Sequence, residues 1–175
     1  MKEPTLDAHK DWQDSSQLQV IDSWGFHGRM LIRSDEVVNA NIIWRHGSQR
    51  DELSLFGLLG LGKKKIIVDS NGISLDEGSG KQVRSQNVDE FIAQKLGFLV
   101  PITALRRWVL GQPLSGAALT KIDGGFEQLG WLIMPSRYRL TSFGMLPHKL
   151  KVSKNNIKLI LIIDRWEKNN GSDYQ

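Results

Sequence analysis

Cysteine is absent from all 175 residues, which removes disulfide frameworks, thiolate metal sites and cysteine nucleophiles for the chain as it stands. Long apolar runs are missing too. No stretch approaches the roughly 18 apolar residues of a spanning helix, and Met1-Lys2-Glu3-Pro4 has no apolar signal-peptide core. The chain is expected to be soluble, with any natural targeting segment removed. Histidine is sparse: His9, His27, His46 and His148 fall on separate segments with no metal-ligand spacing, so no metal and no cofactor are expected. Nucleophile elbows of the Gly-x-Ser-x-Gly type are lacking, as are phosphate loops. Gly57-Leu58-Leu59-Gly60-Leu61-Gly62-Lys63 is glycine-rich, yet it holds leucines where a phosphate loop needs small residues and offers no Ser or Thr for magnesium. The acidic pairs Asp76-Glu77 and Asp89-Glu90 suit turns and helix starts better than acid-base work. Nothing here asks for an enzyme.

What is present is a hydrophobic content of 40%, enough for one sizeable core, so residues 1–175 are expected to form a single domain, ordered from about 5 to 167, with a flexible polar tail over 168–175. The net charge of +4 and isoelectric point near 9.4 suit an acidic partner: a membrane surface, an acidic protein or a nucleic acid.

Hydrophobic patterning points to a β-rich fold. Leu6, Trp12 and Leu18 mark an N-terminal helix from Thr5, a plausible cap, to Leu18. Met30-Leu31-Ile32 and Asn39 to Trp44 form a hairpin across Ser34-Asp35, with Ala40, Ile42 and Trp44 on one face. Arg45 to Glu52 reads as a polar connection, followed by a strand through Leu53 and Leu55. Lys65 to Asp69 and Ile73 to Leu75 join through Ser70-Asn71-Gly72, where Asn-Gly supplies the positive φ values of a tight turn. Gly78-Ser79-Gly80 marks a loop. Asn87, with Glu90 as capping-box partner, opens a helix with Val88, Phe91, Ile92 and Leu96 as its stripe and Gly97 as its stop. A second helix starts at Pro101 and buries Ile102, Leu105, Trp108 and Val109 before Gly111. Strands return around Leu119 to Ile122, Gly130 to Met134, Tyr138 to Ser142 and Lys149 to Val152. The last strand, Ile157 to Trp166, follows the turn Lys154-Asn155-Asn156, and its run Leu159 to Ile163 suggests cover on both faces.

Phe56, Leu58, Leu59 and Leu61 occupy a connection between strands where turn chemistry is normally polar. They read either as a core-facing loop or as an exposed tip made for membrane or partner contact. Lys63, Lys64 and Lys65 follow directly, which suits a tip entering a bilayer while ammonium groups meet anionic headgroups. Burial of one leucine in hydrocarbon is worth roughly 1.5 to 3 kcal/mol, enough for a transient touch.

Leu105-Arg106-Arg107-Trp108-Val109-Leu110-Gly111-Gln112-Pro113 resembles the Leu-x-x-Trp-x-x-Gly-x-Pro signature of the LolB family of outer-membrane lipoprotein receptors. Gly28 to Trp44 resembles that family's first hairpin, Leu53 to Gly60 its protruding loop, and Leu146 to Leu150 with Ile157 to Trp166 its closing strands; Trp44, Trp108, Trp131 and Trp166 fall at motif-like positions. The resemblance spans about Trp12 to Trp166. It implies a mostly β (α+β) fold, an open antiparallel half-barrel whose N-terminal helix and short helices cover an apolar cavity. It also implies a function: accepting acylated lipoprotein cargo from a LolA-like periplasmic chaperone and inserting it into the inner leaflet of the outer membrane, among its phospholipids, without nucleotide hydrolysis. The protein would then be a monomer on the periplasmic face, lipid-anchored in its natural form. Family members begin with a lipid-modified cysteine; this chain has none, so Met1 is expected to open a trimmed form. Leu59 matches the tip leucine of the family's loop, but Gly-Leu-Leu-Gly lacks the proline expected before it, leaving Leu58 or Leu59 to lead.

An acyl chain in water costs on the order of 0.8 kcal/mol per methylene, so a carrier needs a continuous apolar interior. Ile32, Ile42, Trp44, Leu105, Trp108, Leu132 and Leu161 are its expected lining. A generic fatty-acid carrier, a basic nucleic-acid binder and a lipid hydrolase or transferase are the alternatives. The last lacks a nucleophile motif.

Overall fold

The computed structural model describes residues 21–57, 62–78, 80, 82–97 and 100–169. The expected N-terminal helix, Leu58, Leu59 and Leu61 of the apolar connection, and the tail from residue 170 lie outside the described residues. Eleven strands and two helices follow one another as β1 (Trp24–Arg33), β2 (Val37–His46), β3 (Asp51–Phe56), β4 (Lys64–Asp69), β5 (Gly72–Asp76), β6 (Gln82–Ser85), α1 (Val88–Leu96), α2 (Ile102–Trp108), β7 (Thr120–Ile122), β8 (Gly125–Gln128), β9 (Trp131–Thr141), β10 (Gly144–Lys154) and β11 (Ile157–Glu167). They form one antiparallel sheet in the order β6-β5-β4-β3-β2-β1-β11-β10-β9-β8-β7. Because β6 and β7 end the order, the sheet is open, as the half-barrel reading requires.

The first and last long strands meet in the middle, where β1 pairs with both β2 and β11. Between His27 and Gly28 the register with β11 shifts by one residue, leaving Asp164 as the extra residue of a β-bulge in β11 at that seam. A β-carbon on Gly28 would fall on the Ile162 carbonyl, so only glycine allows this approach. Alternation then sorts the side chains. Trp24, Phe26, Met30 and Ile32 of β1, Ile42 and Trp44 of β2, and Leu159, Leu161 and Ile163 of β11 all bury one face.

The helices roof that face. α1 buries Phe91 and Ile92, and α2 buries Ile102, Ala104, Leu105 and Trp108. Pro101 precedes α2 with no side-chain acceptor of its own. Asp89 of α1 supplies one instead, accepting from the Ile102 amide at 2.8 Å and from the Thr103 hydroxyl at 2.7 Å, so one carboxylate caps α2 and ties the two helices together.

Several local expectations change. Asn87 makes no side-chain cap bond, and Glu90 accepts from Gln94 rather than closing a capping box. Positive φ in the Ser70-Asn71-Gly72 turn falls on Gly72 alone among these residues. The short strands β6 and β8 were not anticipated: each has four residues and a single large apolar side chain, Val83 or Phe126. The two segments expected at Gly130 to Met134 and Tyr138 to Ser142 merge into one 11-residue strand, β9 (Trp131–Thr141), that runs through Pro135 opposite Leu150. The polar connection shrinks to residues 47–50 because His46 and Asp51 pair as strand residues. In β11, Ile160 and Ile162 stay half-buried beside buried Leu159, Leu161 and Ile163, so the strand alternates instead of being covered on both faces.

Candidate binding interior and working loop

Beneath α2 the sheet carries a cage of rings. Trp24 lies 5.2 Å from Trp44 and 5.6 Å from Trp166, and Phe26 lies 5.4 Å from Trp166, mostly edge to face. Three indoles, two of the sheet and one of α2, also satisfy their N–H groups. Trp44 donates to Asp51 at 2.9 Å, Trp108 to Gln128 at 3.1 Å and Trp166 to the Pro147 carbonyl at 3.0 Å.

Asp51 and Gln128 are the polar anchors of the interior. Asp51 is 3% exposed. Its carboxylate accepts from Trp44, sits 2.7 Å from His46 Nδ1 and pairs with the Arg106 guanidinium of α2. A buried carboxylate needs such company, since an unpaired one is costly. Gln128, from β8, also receives the Leu114 amide at 2.8 Å and donates to the Leu114 carbonyl at 3.0 Å, fixing the segment that follows α2. Helix α2 is therefore bolted to the sheet at both flanks: through Arg106 to β3 and through Trp108 to β8.

The Gly-x-Pro end of the motif is structural. Gly111 has φ 72, and a β-carbon there would strike the Tyr138 hydroxyl, so glycine permits both the turn and the contact with β9.

Of the expected lining residues, Ile32, Ile42, Trp44, Leu105, Trp108 and Leu161 are all buried in this interior, each at 3% exposure or less. Leu132 is not. It is half-buried on the opposite face, opposite Ser153, while Ile133 next to it is fully buried opposite Val152. A period of two makes such a slip of one residue a change of face. Trp24, Phe26, Phe126 and Ile133 belong in the set that the sequence reading omitted.

A cavity of about 290 Å³ opens where α2 meets the starts of β1 and the end of β2, lined by Trp24, His46, Thr103, Arg106, Arg107 and Leu110 among others. Its wall is mixed, and the Nε atoms of Arg106 and Arg107 are buried beside it without hydrogen-bond partners. Ligand pockets usually span roughly 300 to 1,000 Å³.

At the β3–β4 connection, Phe56 ends β3 half-buried, on the face opposite Leu55. Lys63 is exposed, Lys64 lies 3.9 Å from Glu77, and Lys65 is drawn to Glu52 at 2.9 Å. Among the described residues, Lys63 alone of the three has no ion pair. No helix among them is long and apolar enough to cross a membrane, and no group of three or more His, Asp or Glu side chains is placed to hold a metal.

An open antiparallel sheet with an apolar inner face roofed by helices defines a half-barrel of the LolA type, and the solved LolA superfamily protein from Nitrosomonas europaea shares it: TM-score 0.59, 9% identity, over 87% of this chain and 89% of that one. Residues 22–166 match the family described as "Outer membrane lipoprotein LolB". The chain belongs to that family. Its relatives include the outer-membrane lipoprotein LolB of Thiobacillus denitrificans, 29% identical over 89% of this chain and 86% of the relative, and that of Nitrosococcus oceani, 27% identical over 94% and 86%.

Proposed function

We propose that this protein is an outer-membrane receptor that accepts acylated lipoproteins from a LolA-like periplasmic chaperone and delivers them, without catalysis, to the inner leaflet of the outer membrane. The observation that carries the reading is the apolar inner face of the half-barrel in a chain of the LolB family. Residues 1–175 act as one lipoprotein-binding domain, as a monomer, with no nucleic-acid partner.

Acyl chains enter beneath α1 and α2, against Ile32, Ile42, Trp44, Leu105, Trp108 and Leu161. The space is filled in the closed form by packed side chains, so entry requires the roof to lift. Apolar contacts resist that motion weakly once acyl chains replace them, because hydrocarbon substitutes for hydrocarbon. Lifting α2 breaks its ties to Asp51 and Gln128, whose re-formation returns the roof to the same register, while Asp89 keeps α1 and α2 joined. Delivery falls to Phe56, Leu58, Leu59 and Leu61, with Lys63 to Lys65 toward headgroups.

The test is a transfer assay. Purified protein mixed with a chaperone–lipoprotein complex is expected to take up the lipoprotein; a protein that neither accepts it nor binds an acylated peptide sinks the reading.

A further inference from the structure

The register fixes which turns share a rim of the sheet. β3, β1, β10 and β8 run in the same sense, so the end of β3 at Phe56, the turn 34–36, the turn 155–156 and the turn 129–130 all lie along one rim. At the far corner of this rim stands Leu129. Its side chain is 55% exposed and its φ is 52°. Both facts disfavour leucine: a left-handed backbone favours glycine or asparagine, and a solvated turn favours polar residues. Asn155, on the neighbouring turn at φ 52°, is the residue type such a position ordinarily takes.

Beside it, the Lys154 side chain crosses Gly130, and its ammonium sits 5.6 Å from the centre of the buried Trp131 ring. Lys154 has no ion pair among the described residues. An exposed leucine next to a held ammonium repeats the chemistry of the apolar connection and exposed Lys63. Strand spacing of about 4.8 Å puts the two corners no more than roughly 30 Å apart along the arc.

We propose that the β8–β9 corner, Leu129 with Lys154, is a second bilayer contact, so that the protein meets an anionic membrane at two corners of one rim, with Leu129 in the acyl region and Lys154 at the headgroups. The inference rests on the receptor reading and adds an orientation to it: the sheet stands on its loop rim. Asp35 and Glu36, next to the exposed Val37, lie on the turn between the corners.

The test compares Leu129→Asn with Leu140→Asn, an equally polar change at an 80% exposed leucine near the opposite rim. Asparagine tolerates the left-handed backbone, so Leu129→Asn should fold at least as well as the parent. In flotation with phosphatidylethanolamine–phosphatidylglycerol vesicles, Leu129→Asn should bind about tenfold more weakly, the factor expected when one leucine no longer reaches hydrocarbon. Leu140→Asn should bind as the parent does. Cargo acceptance from the chaperone in solution should be unchanged in both. Equal vesicle binding by parent and Leu129→Asn overturns the proposal and leaves the receptor reading standing. Impaired cargo acceptance by Leu129→Asn without membranes also overturns it, since the corner would then be a protein dock. Failure of the parent to accept cargo would count against the receptor reading itself.

Discussion

At the rim where β1 begins and β2 ends, a buried carboxylate gathers an indole, an imidazole and a guanidinium; at the other rim a leucine stands in water on a left-handed backbone. The first arrangement places polar groups inside and satisfies them. The second places an apolar group outside and leaves it uncovered. Buried networks of this kind fix geometry because every partner suffers if one leaves, whereas exposed apolar turns contribute little to folding and are free to serve a contact. The anchored rim holds the roof on the sheet; the other rim is the one proposed to meet the membrane.

The largest break in this contrast should come from Asp51→Ala, which strands the Arg106 guanidinium and the Trp44 N–H. Arg106 is 27% exposed, so water relieves part of the loss, and destabilisation of about 3 kcal/mol is expected, read as a fall of roughly 10 °C in Tm. Adding Arg106→Met should restore part of that loss, because the uncompensated charge is then gone. Gln128→Ala comes next, at about 2 kcal/mol in denaturant titration, since the Trp108 N–H and both polar groups of Leu114 lose their partner in a buried setting.

A smaller effect concerns His148. Burial, the largest influence, lowers its pKa below the ordinary 6.5, and Arg139 pushes the same way, while the carbonyls of Leu146 and Arg137 oppose them. A base whose folded pKa is depressed binds fewer protons than in the unfolded chain, so its share of stability is present above 6.5 and is lost as pH falls from 6.5 through the folded value. His148→Gln should flatten the stability–pH curve in that window, as followed by thermal melts. The smallest change in stability is expected for Leu59→Glu, within about 0.5 kcal/mol. It should nonetheless block release of cargo into vesicles, because a carboxylate at the tip opposes insertion. Unfolding of that variant would instead make Leu59 a core residue.

How much of this was legible in the sequence varies with the kind of signal. The β4–β5 hairpin and α2 could be read directly, since a turn dipeptide and a 3.6-residue stripe are local properties. The family motif was legible as well, and Gly111 explains its glycine through positive φ and the approach of Tyr138. Asp51 was hidden because a charged residue at the head of a strand looks like a loop residue. Its phase with Leu53 and Leu55 was the available clue, but the partners that make burial tolerable, His46 and Arg106, come from another strand and a helix. Leu132 was misplaced by one residue, the error to which period-two patterns are most prone; the register with Val152 that selects Ile133 is tertiary information. Leu129 carried no sequence signal at all, because its interest lies in backbone sign and exposure.

The most direct test of the central claim follows cargo under the roof. With an acylated lipoprotein offered on its chaperone, the fluorescence of the buried Trp24, Trp44 and Trp108 should change in step with transfer, and Trp44→Phe or Trp108→Phe should remove part of that change. Cargo that remains on the chaperone while the fluorescence stays constant would contradict an acyl-binding interior.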